Sequence, residues 1–273
     1  AAPFESLEAR KDHSVRSIIP ASVAIVRAAL RYSAAASGGQ QLGLPRAHYE
    51  ALYAAGVRNE AFASPFNSRL LPLGRRDTAF CSLFPDTDYM FGSCGRFFDF
   101  DASKLVGGWT VNPPYIEKLM EATTKRLQSM LATADKSSGV PLQIFYLMPA
   151  WNDSAAVREA VDSPYAAHTE FLSKNSYQLE EPGGRIFTAP FACYYVALQA
   201  PAATGQARAR LANVCRSARL SPAKNEHPRL KKLAGSFTHA NPHAPAKVLG
   251  GDESVKGYYA IISGEVSADV RSA

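Results

Sequence analysis

The chain has 273 residues, of which 47% are hydrophobic and 20% charged, with a formal net charge of +6. These are globular proportions, and the length suits one large domain or a domain with an appended helical segment. No stretch approaches the roughly eighteen consecutive apolar residues of a membrane-spanning helix, and the first twenty residues carry charges throughout, unlike a secretory signal. Cys81, Cys94, Cys193 and Cys215 are far apart and show neither zinc-finger spacing nor a disulfide framework. A reducing compartment, nucleus or cytosol, is expected.

In chain order, Val15, Ile18, Ile19, Val23, Ile25, Val26, Ala29 and Leu30 recur at helical spacing over 14–37, with a break at Pro20. A Ser/Gly/Gln loop at 37–43 leads to a second helix over 45–55, closed by Gly56 as a helix-end glycine. Short strands are then expected at 60–63, 80–84, 96–100, 108–111 and 142–148, and over 186–199 as two strands or one bent one. Helices are expected at 115–134, 153–162, 166–178 and 206–219. Strands alternating with helices imply a mostly parallel sheet covered on both faces. Ligands of such sheets bind beyond the carboxyl ends of the strands, at the point where strand order reverses.

One such strand end carries Asn112-Pro113-Pro114-Tyr115, after Trp109-Thr110-Val111 and before a helix. The prolines fix φ and restrict the residue before each of them, giving a stiff loop. An Asn side-chain oxygen beside the Pro113 carbonyl offers two acceptors, which suits drawing the two N–H groups of an exocyclic amine toward a nucleophilic geometry. Tyr115 adds a ring face on which a base can stack, worth about 1–3 kcal/mol. The same tetrapeptide also serves simply to stop a strand and start a helix. Between 201 and 232 lie Arg208, Arg210, Arg216, Arg219, Lys224, Arg229, Lys231 and Lys232 against Glu226 alone, either a solvated basic face or a phosphate-tracking surface. His239 and His243 are separated by Pro242, so no metal site is expected; nor is a Ser/His/Asp triad or phosphate-cradling loop visible.

Four segments occur in order: Glu60-Ala61-Phe62-Ala63-Ser64-Pro65-Phe66-Asn67, then Phe84-Pro85-Asp86-Thr87-Asp88, Phe91-Gly92-Ser93, and Val111-Asn112-Pro113-Pro114-Tyr115. Together they resemble the catalytic domain of the phosphorylated-CTD-interacting-factor-1 family, cap-specific adenosine N6-methyltransferases. The likeness is dense over about 57–151 and thinner on either side. It implies an α/β, Rossmann-like core that uses S-adenosylmethionine, yields S-adenosylhomocysteine, and methylates N6 of the first transcribed adenosine beside a 7-methylguanosine cap. On that basis residues 1–57 form an N-terminal helical segment, 58–220 the methyltransferase core, and 221–273 an extension packed on it.

The likeness places Asn112, Pro113, Pro114 and Tyr115 in the catalytic loop, with Tyr115 where the family commonly has phenylalanine. Expected donor-binding residues are Ala63, Ser64, Pro65 and Asn67 of the turn after the first strand, Asp86 for ribose hydroxyls, Phe91 and Gly92 for close backbone approach, and Asn112 itself. The alternatives for these positions are a helix cap, a simple Asp-Thr-Asp turn and a hairpin corner. Expected acceptor-binding residues are Tyr115, Trp151 of the Pro149-Ala150-Trp151 segment (or a packing tryptophan), and Arg75, Arg76, Arg208 and Lys231 for phosphates. Ala150 stands where the family usually carries an acid, and 178–190 lacks its Lys/Glu-rich stretch. Other readings are methylation of internal RNA or DNA adenines, or a catalytically silent RNA-binding module. RNA is the expected partner and the nucleus the expected location, with cytoplasm the alternative; a link to RNA polymerase II is not readable from these residues.

Overall fold

The computed structural model describes residues 20–35, 41–74, 77–101, 105–136 and 141–220. Two helices come first, α1 (Ala21–Ala35) and α2 (Arg46–Ala54). They are followed by β1 (Val57–Ala63), α3 (Leu71–Gly74), β2 (Ala79–Ser82), α4 (Pro85–Asp88) and β3 (Gly107–Val111). Then come α5 (Glu117–Lys136), β4 (Leu142–Pro149), α6 (Ala155–Val161), β5 (Ala166–Leu172), β6 (Gln178–Glu180), β7 (Ile186–Thr188), β8 (Cys193–Ala200) and α7 (Gly205–Arg216). Six strands form one sheet in the order β2-β1-β3-β4-β8-β5, and β6 and β7 form a separate hairpin. Strands β2, β1, β3 and β4 pair in parallel, while β8 runs antiparallel to both β4 and β5.

This is the expected α/β architecture with a mostly parallel sheet, compatible with a Rossmann-like fold. Along β4, Leu142, Ile144, Tyr146 and Met148 enter one core with α5 and α6, while Phe145 and Leu147 enter a second core with α2 and α7. All eight residues of β4 are buried, the continuous burial of a central strand covered on both faces. Gly108 allows β3 to lie flat against the start of β1: a Cβ there would sit 2.6 Å from the Gly56 carbonyl oxygen and 2.7 Å from Val57 Cα. Gly56, at φ +94°, turns the end of α2 directly into β1. That turn starts β1 three residues earlier than the aromatic and apolar pattern alone implies.

Two expected elements differ. Residues 166–172 form an edge strand rather than a helix: their alanines, glutamate and leucine favour a helix only weakly, and pairing with β8 overrides that preference. His168 and Glu170 then project from one face, 2.9 Å apart, and Arg219 closes an ion pair on Glu170. The aromatic run at 96–100 suggests a strand but folds as a 3-10 turn over Phe97–Asp99, because Gly95 at φ +126° bends the chain out of line with β2. Phe97 instead buries its ring against Phe62 and Trp109. The long 186–199 segment resolves into β7 and β8. The expected extension at 221–273, including its strand-like 258–262 stretch, lies outside the described residues. No helix among those described is long and apolar enough to cross a membrane.

The N-terminal helices are integral to the core. Leu44, Tyr49 and Leu52 belong to the second core, and His48 of α2 bridges to β8 and to the end of α7. Its Nε2 lies 2.8 Å from the Tyr195 hydroxyl and its Nδ1 3.0 Å from Ser217 Oγ. Ser217 Oγ donates to the Val214 carbonyl, so it accepts from Nδ1–H and leaves Nε2 to accept from Tyr195, which defines a neutral imidazole. Burial pushes the His48 pKa down from 6.5 to about 3. Between these values the unfolded chain binds the proton that the folded chain refuses, so acid favours unfolding. The contribution is complete above pH 6.5 and is lost as pH falls toward 3. Urea unfolding should therefore show stability dropping from pH 6.5 to pH 4.5 by up to about 1.4 kcal/mol per pH unit through this residue. His48→Gln should flatten that slope; equal slopes in the two proteins would contradict the assignment.

Candidate active site

The order β2-β1-β3 reverses direction at β1: the chain leaves β1 for one neighbour and returns to the other. A cleft opens beyond the carboxyl ends of these strands, the place where open α/β sheets bind ligands. It encloses roughly 580 Å³, part of it open to solvent. Ala61, Phe62, Ala63, Ser64 and Asn67 come from β1 and its following turn; Cys81, Ser82 and Leu83 from the end of β2; Asn112 and Pro114 from the end of β3. Tyr32 of α1, Gln41, Arg96 and Phe97 complete the wall.

The turn after β1 is built from its own polar groups. Asn67 Oδ1 accepts from the Ser64 backbone N–H at 2.7 Å and from the Ser64 hydroxyl at 3.0 Å. Ser64 Oγ also approaches Gln41 Oε1 at 2.9 Å, and Asn67 Nδ2 donates to the Gln41 carbonyl at 3.3 Å. Downstream, the buried Glu60 carboxylate accepts from the Ser68 hydroxyl and from the backbone N–H groups of Arg69 and Leu70, tying the segment back onto β1. Burial raises the Glu60 pKa, and these donors oppose the rise. The effect is to hold residues 41–43 over the sheet. Gly43 exchanges two backbone hydrogen bonds with Glu180 of β6, at 3.2 and 2.8 Å, fixing the other side of the same segment.

That segment orients Asn112. The Asn112 Nδ2 group donates to the Leu42 carbonyl at 2.9 Å. A carbonyl can only accept, so this contact settles which end of the amide is nitrogen. The other end, Oδ1, is buried and has no hydrogen-bond partner among the described residues. Leaving a buried acceptor unpaired costs about 1–3 kcal/mol, so the loop holds an unmet demand for an N–H donor at the cleft wall. Pro113 and Pro114 are buried beneath it and stiffen the backbone.

Tyr115 stands beside the cleft rather than in its wall. Its ring meets Trp151 and Phe191 edge to face, with centroids 6.5 and 6.0 Å away, and its hydroxyl lies 3.6 Å from Cys193 Sγ. Tyr177 donates to the same sulfur at 3.1 Å. Burial raises the Tyr115 pKa well above the ordinary phenol and pushes the Cys193 thiol up to about 11, so both stay protonated. Because β8 runs antiparallel, its beginning lies at the same sheet edge as the ends of β3 and β4, and the three partly exposed rings gather there.

The expected site residues therefore divide. Ala63, Ser64, Asn67, Asn112 and Pro114 line one cleft, with Pro65 in the turn and Pro113 behind it; Tyr115 and Trp151 form an adjoining aromatic group. Asp86 lies outside the cleft wall: its exposed carboxylate pairs with Arg31, which also meets Thr87. Asp88 is the acid turned inward, accepting from the Tyr32 hydroxyl at 2.6 Å. Phe91 and Gly92 shape the turn leading back alongside β2, with Gly92 at φ +97°, and do not line the cleft. Arg208 is at the opposite edge of the sheet. Since β8 is antiparallel, its last residue, Ala200, sits beside Leu142 at the start of β4, and α7 begins there; Arg208 Nε donates to the nearby Ala203 carbonyl. Arg75, Arg76 and Lys231 fall outside the described residues. Gln41, Tyr32, Arg96 and Phe191 had no local motif to announce them, because each reaches the site from a distant part of the chain.

Comparison with known proteins identifies the family. A family model described as the phosphorylated CTD interacting factor 1 WW domain matches residues 4–181, which include the β1, β2 and β3 strand ends, and the chain belongs to this family. It is 38% identical over 116 residues to the human mRNA (2'-O-methyladenosine-N(6)-)-methyltransferase, and 37% identical over 116 residues to the mouse protein of that name. In each case the match spans 42% of this chain and 15% of the relative.

Asn67→Ala removes the acceptor that closes the Ser64 turn and a donor to Gln41. It should lower the unfolding free energy by about 1–3 kcal/mol in urea titration; an unchanged midpoint would show that the turn is held by other contacts.

Proposed function

We propose that this chain transfers a methyl group from S-adenosylmethionine to N6 of the adenosine at the first transcribed position of a capped mRNA. The observation that carries this reading is the buried, unpartnered Asn112 Oδ1 at the switch-point cleft, next to a proline-stiffened loop. The names of the human and mouse relatives supply the acceptor: a 2'-O-methyladenosine of mRNA. The donor fits the residues present, because the cleft wall offers small apolar residues at Ala61 and Ala63, polar groups at Gln41, Ser64 and Ser82, and the orphaned acceptor itself. When bound, S-adenosylmethionine supplies an electrophilic methyl on sulfur.

The chain's own part is to hold the amine. The lone pair of an adenine amino group is delocalised into the ring, which makes it a poor nucleophile. Asn112 Oδ1 and the Pro113 carbonyl accept its two N–H groups, localise the lone pair, and aim it. No strong base is required, since the nitrogen becomes acidic once alkylated and releases its proton to solvent water in the open part of the cleft. Holding the reactants in line can contribute several kcal/mol, and the Leu42 clamp fixes the amide before the base arrives. The Tyr115, Trp151 and Phe191 rings provide edges and faces against which the splayed-out base packs. Nuclear action on nascent mRNA goes with this reading, and cytoplasmic action is its alternative.

Asn112→Ala should reduce methyl incorporation into capped, A-initiated RNA by at least about 10²-fold, with the melting temperature and RNA binding nearly unchanged. Near-normal turnover would refute the amine-holding role. Equal labelling of capped and uncapped RNA would favour an internal adenine as acceptor, and failure of the unaltered protein to bind the donor would favour a silent RNA-binding module.

A further inference from the structure

Arg96 is the one formally charged residue among the described residues that line the cleft. Its position is set by the backbone. Residues 93–95 run parallel beside β2, with Ser93 bridging Phe80, the Cys94 N–H donating to the Phe80 carbonyl and the Ser82 N–H to the Gly95 carbonyl. Gly95, at φ +126°, then turns the chain at the carboxyl edge of the sheet, in a conformation that side chains rarely adopt. Arg96 Nε donates to the Leu83 carbonyl at 3.3 Å, which ties the guanidinium to the end of β2. Its four remaining N–H donors have no hydrogen-bond or ion-pair partner among the described residues. Two other arginines near this end of the sheet are engaged, Arg31 with Asp86 and Arg69 with Glu180.

Building on the proposed methyl transfer, we infer that Arg96 binds the carboxylate at the amino-acid end of the methyl donor. A half-buried guanidinium with four unpaired donors beside apolar residues (Phe62, Phe97, Leu83) attracts an anion more strongly than a fully solvated one does. A carboxylate is the planar two-oxygen acceptor that fits the guanidinium fork. No acidic side chain among the described lining residues competes for it. The donor shares this cleft with Asn112, whereas an RNA phosphate would have to leave the aromatic group beside Tyr115 to reach it.

The test is calorimetry on the full chain with two probes, S-adenosylhomocysteine and 5′-methylthioadenosine, which keeps the adenosine and sulfur but lacks the amino acid. Arg96→Gln should weaken S-adenosylhomocysteine about ten- to hundredfold and leave 5′-methylthioadenosine within about twofold. Arg96→Lys should recover part of the loss, since it keeps the charge without the fork, and it serves if the glutamine variant fails to fold. Unchanged S-adenosylhomocysteine affinity, or equal losses for both probes, would overturn the inference. So would a raised KM for RNA with intact S-adenosylhomocysteine affinity, which would assign the cation to an acceptor phosphate. If the unaltered protein binds neither probe, the methyl-transfer reading itself fails, a result distinct from any effect of the Arg96 variants.

Discussion

A single hydrogen bond, from Asn112 Nδ2 to the Leu42 carbonyl, gives the site its chemical sense. An asparagine amide presents a donor at one end and an acceptor at the other, and a free side chain would satisfy both from water. Here a main-chain carbonyl takes the donor and burial removes water from the acceptor. The result is directional: the cleft wall offers an oxygen, not a nitrogen, and lacks the partner that would quiet it. Residues 41–43 do this because they are pinned twice, by the Ser64–Asn67 hydrogen bonds on one side and by the Gly43–Glu180 bridge on the other. The segment that orients the loop thus comes from outside the strand–turn–helix unit that carries it.

The reversed strand β8 explains much of the remaining arrangement. By entering the sheet antiparallel between β4 and β5, it brings Cys193 and the preceding Phe191 to the edge where β3 and β4 end. Tyr115, Trp151 and Phe191 can then meet, although they belong to three different connections. The same reversal sends the chain away at Ala200, so α7 begins at the other edge and carries Arg208 with it. Antiparallel insertion therefore gathers the three rings at one end of the sheet and places Arg208 at the other.

The central elements were legible in the sequence because local pattern and global burial agree there. The continuous apolar run of β4, the long α5 and the strand-to-helix turn at Asn112 are each specified by neighbours in sequence. What was not legible depends on distant partners. Residues 166–172 become a strand only because β8 lies beside them. The aromatic 96–100 run loses its strand because Gly95 bends it away. Asp86 and Asp88 look equivalent in a Pro-Asp-Thr-Asp turn, yet the short helix α4 directs one toward Arg31 in solvent and the other into the interior beneath Tyr32. Arg96 and Gln41 carry no motif, and only the folding of three strand ends onto one edge reveals them as cleft residues.

In the proposed reaction Asn112 Oδ1 accepts from the amino group of the substrate base. A crystal structure of this protein with S-adenosylhomocysteine and a capped oligonucleotide beginning in 2′-O-methyladenosine tests it most directly. N6 should lie within about 2.7–3.2 Å of Asn112 Oδ1, with Nδ2 still on the Leu42 carbonyl and the base against the Tyr115 group. An adenine bound elsewhere, or an Asn112 amide turned so that its nitrogen faces the base, would contradict it.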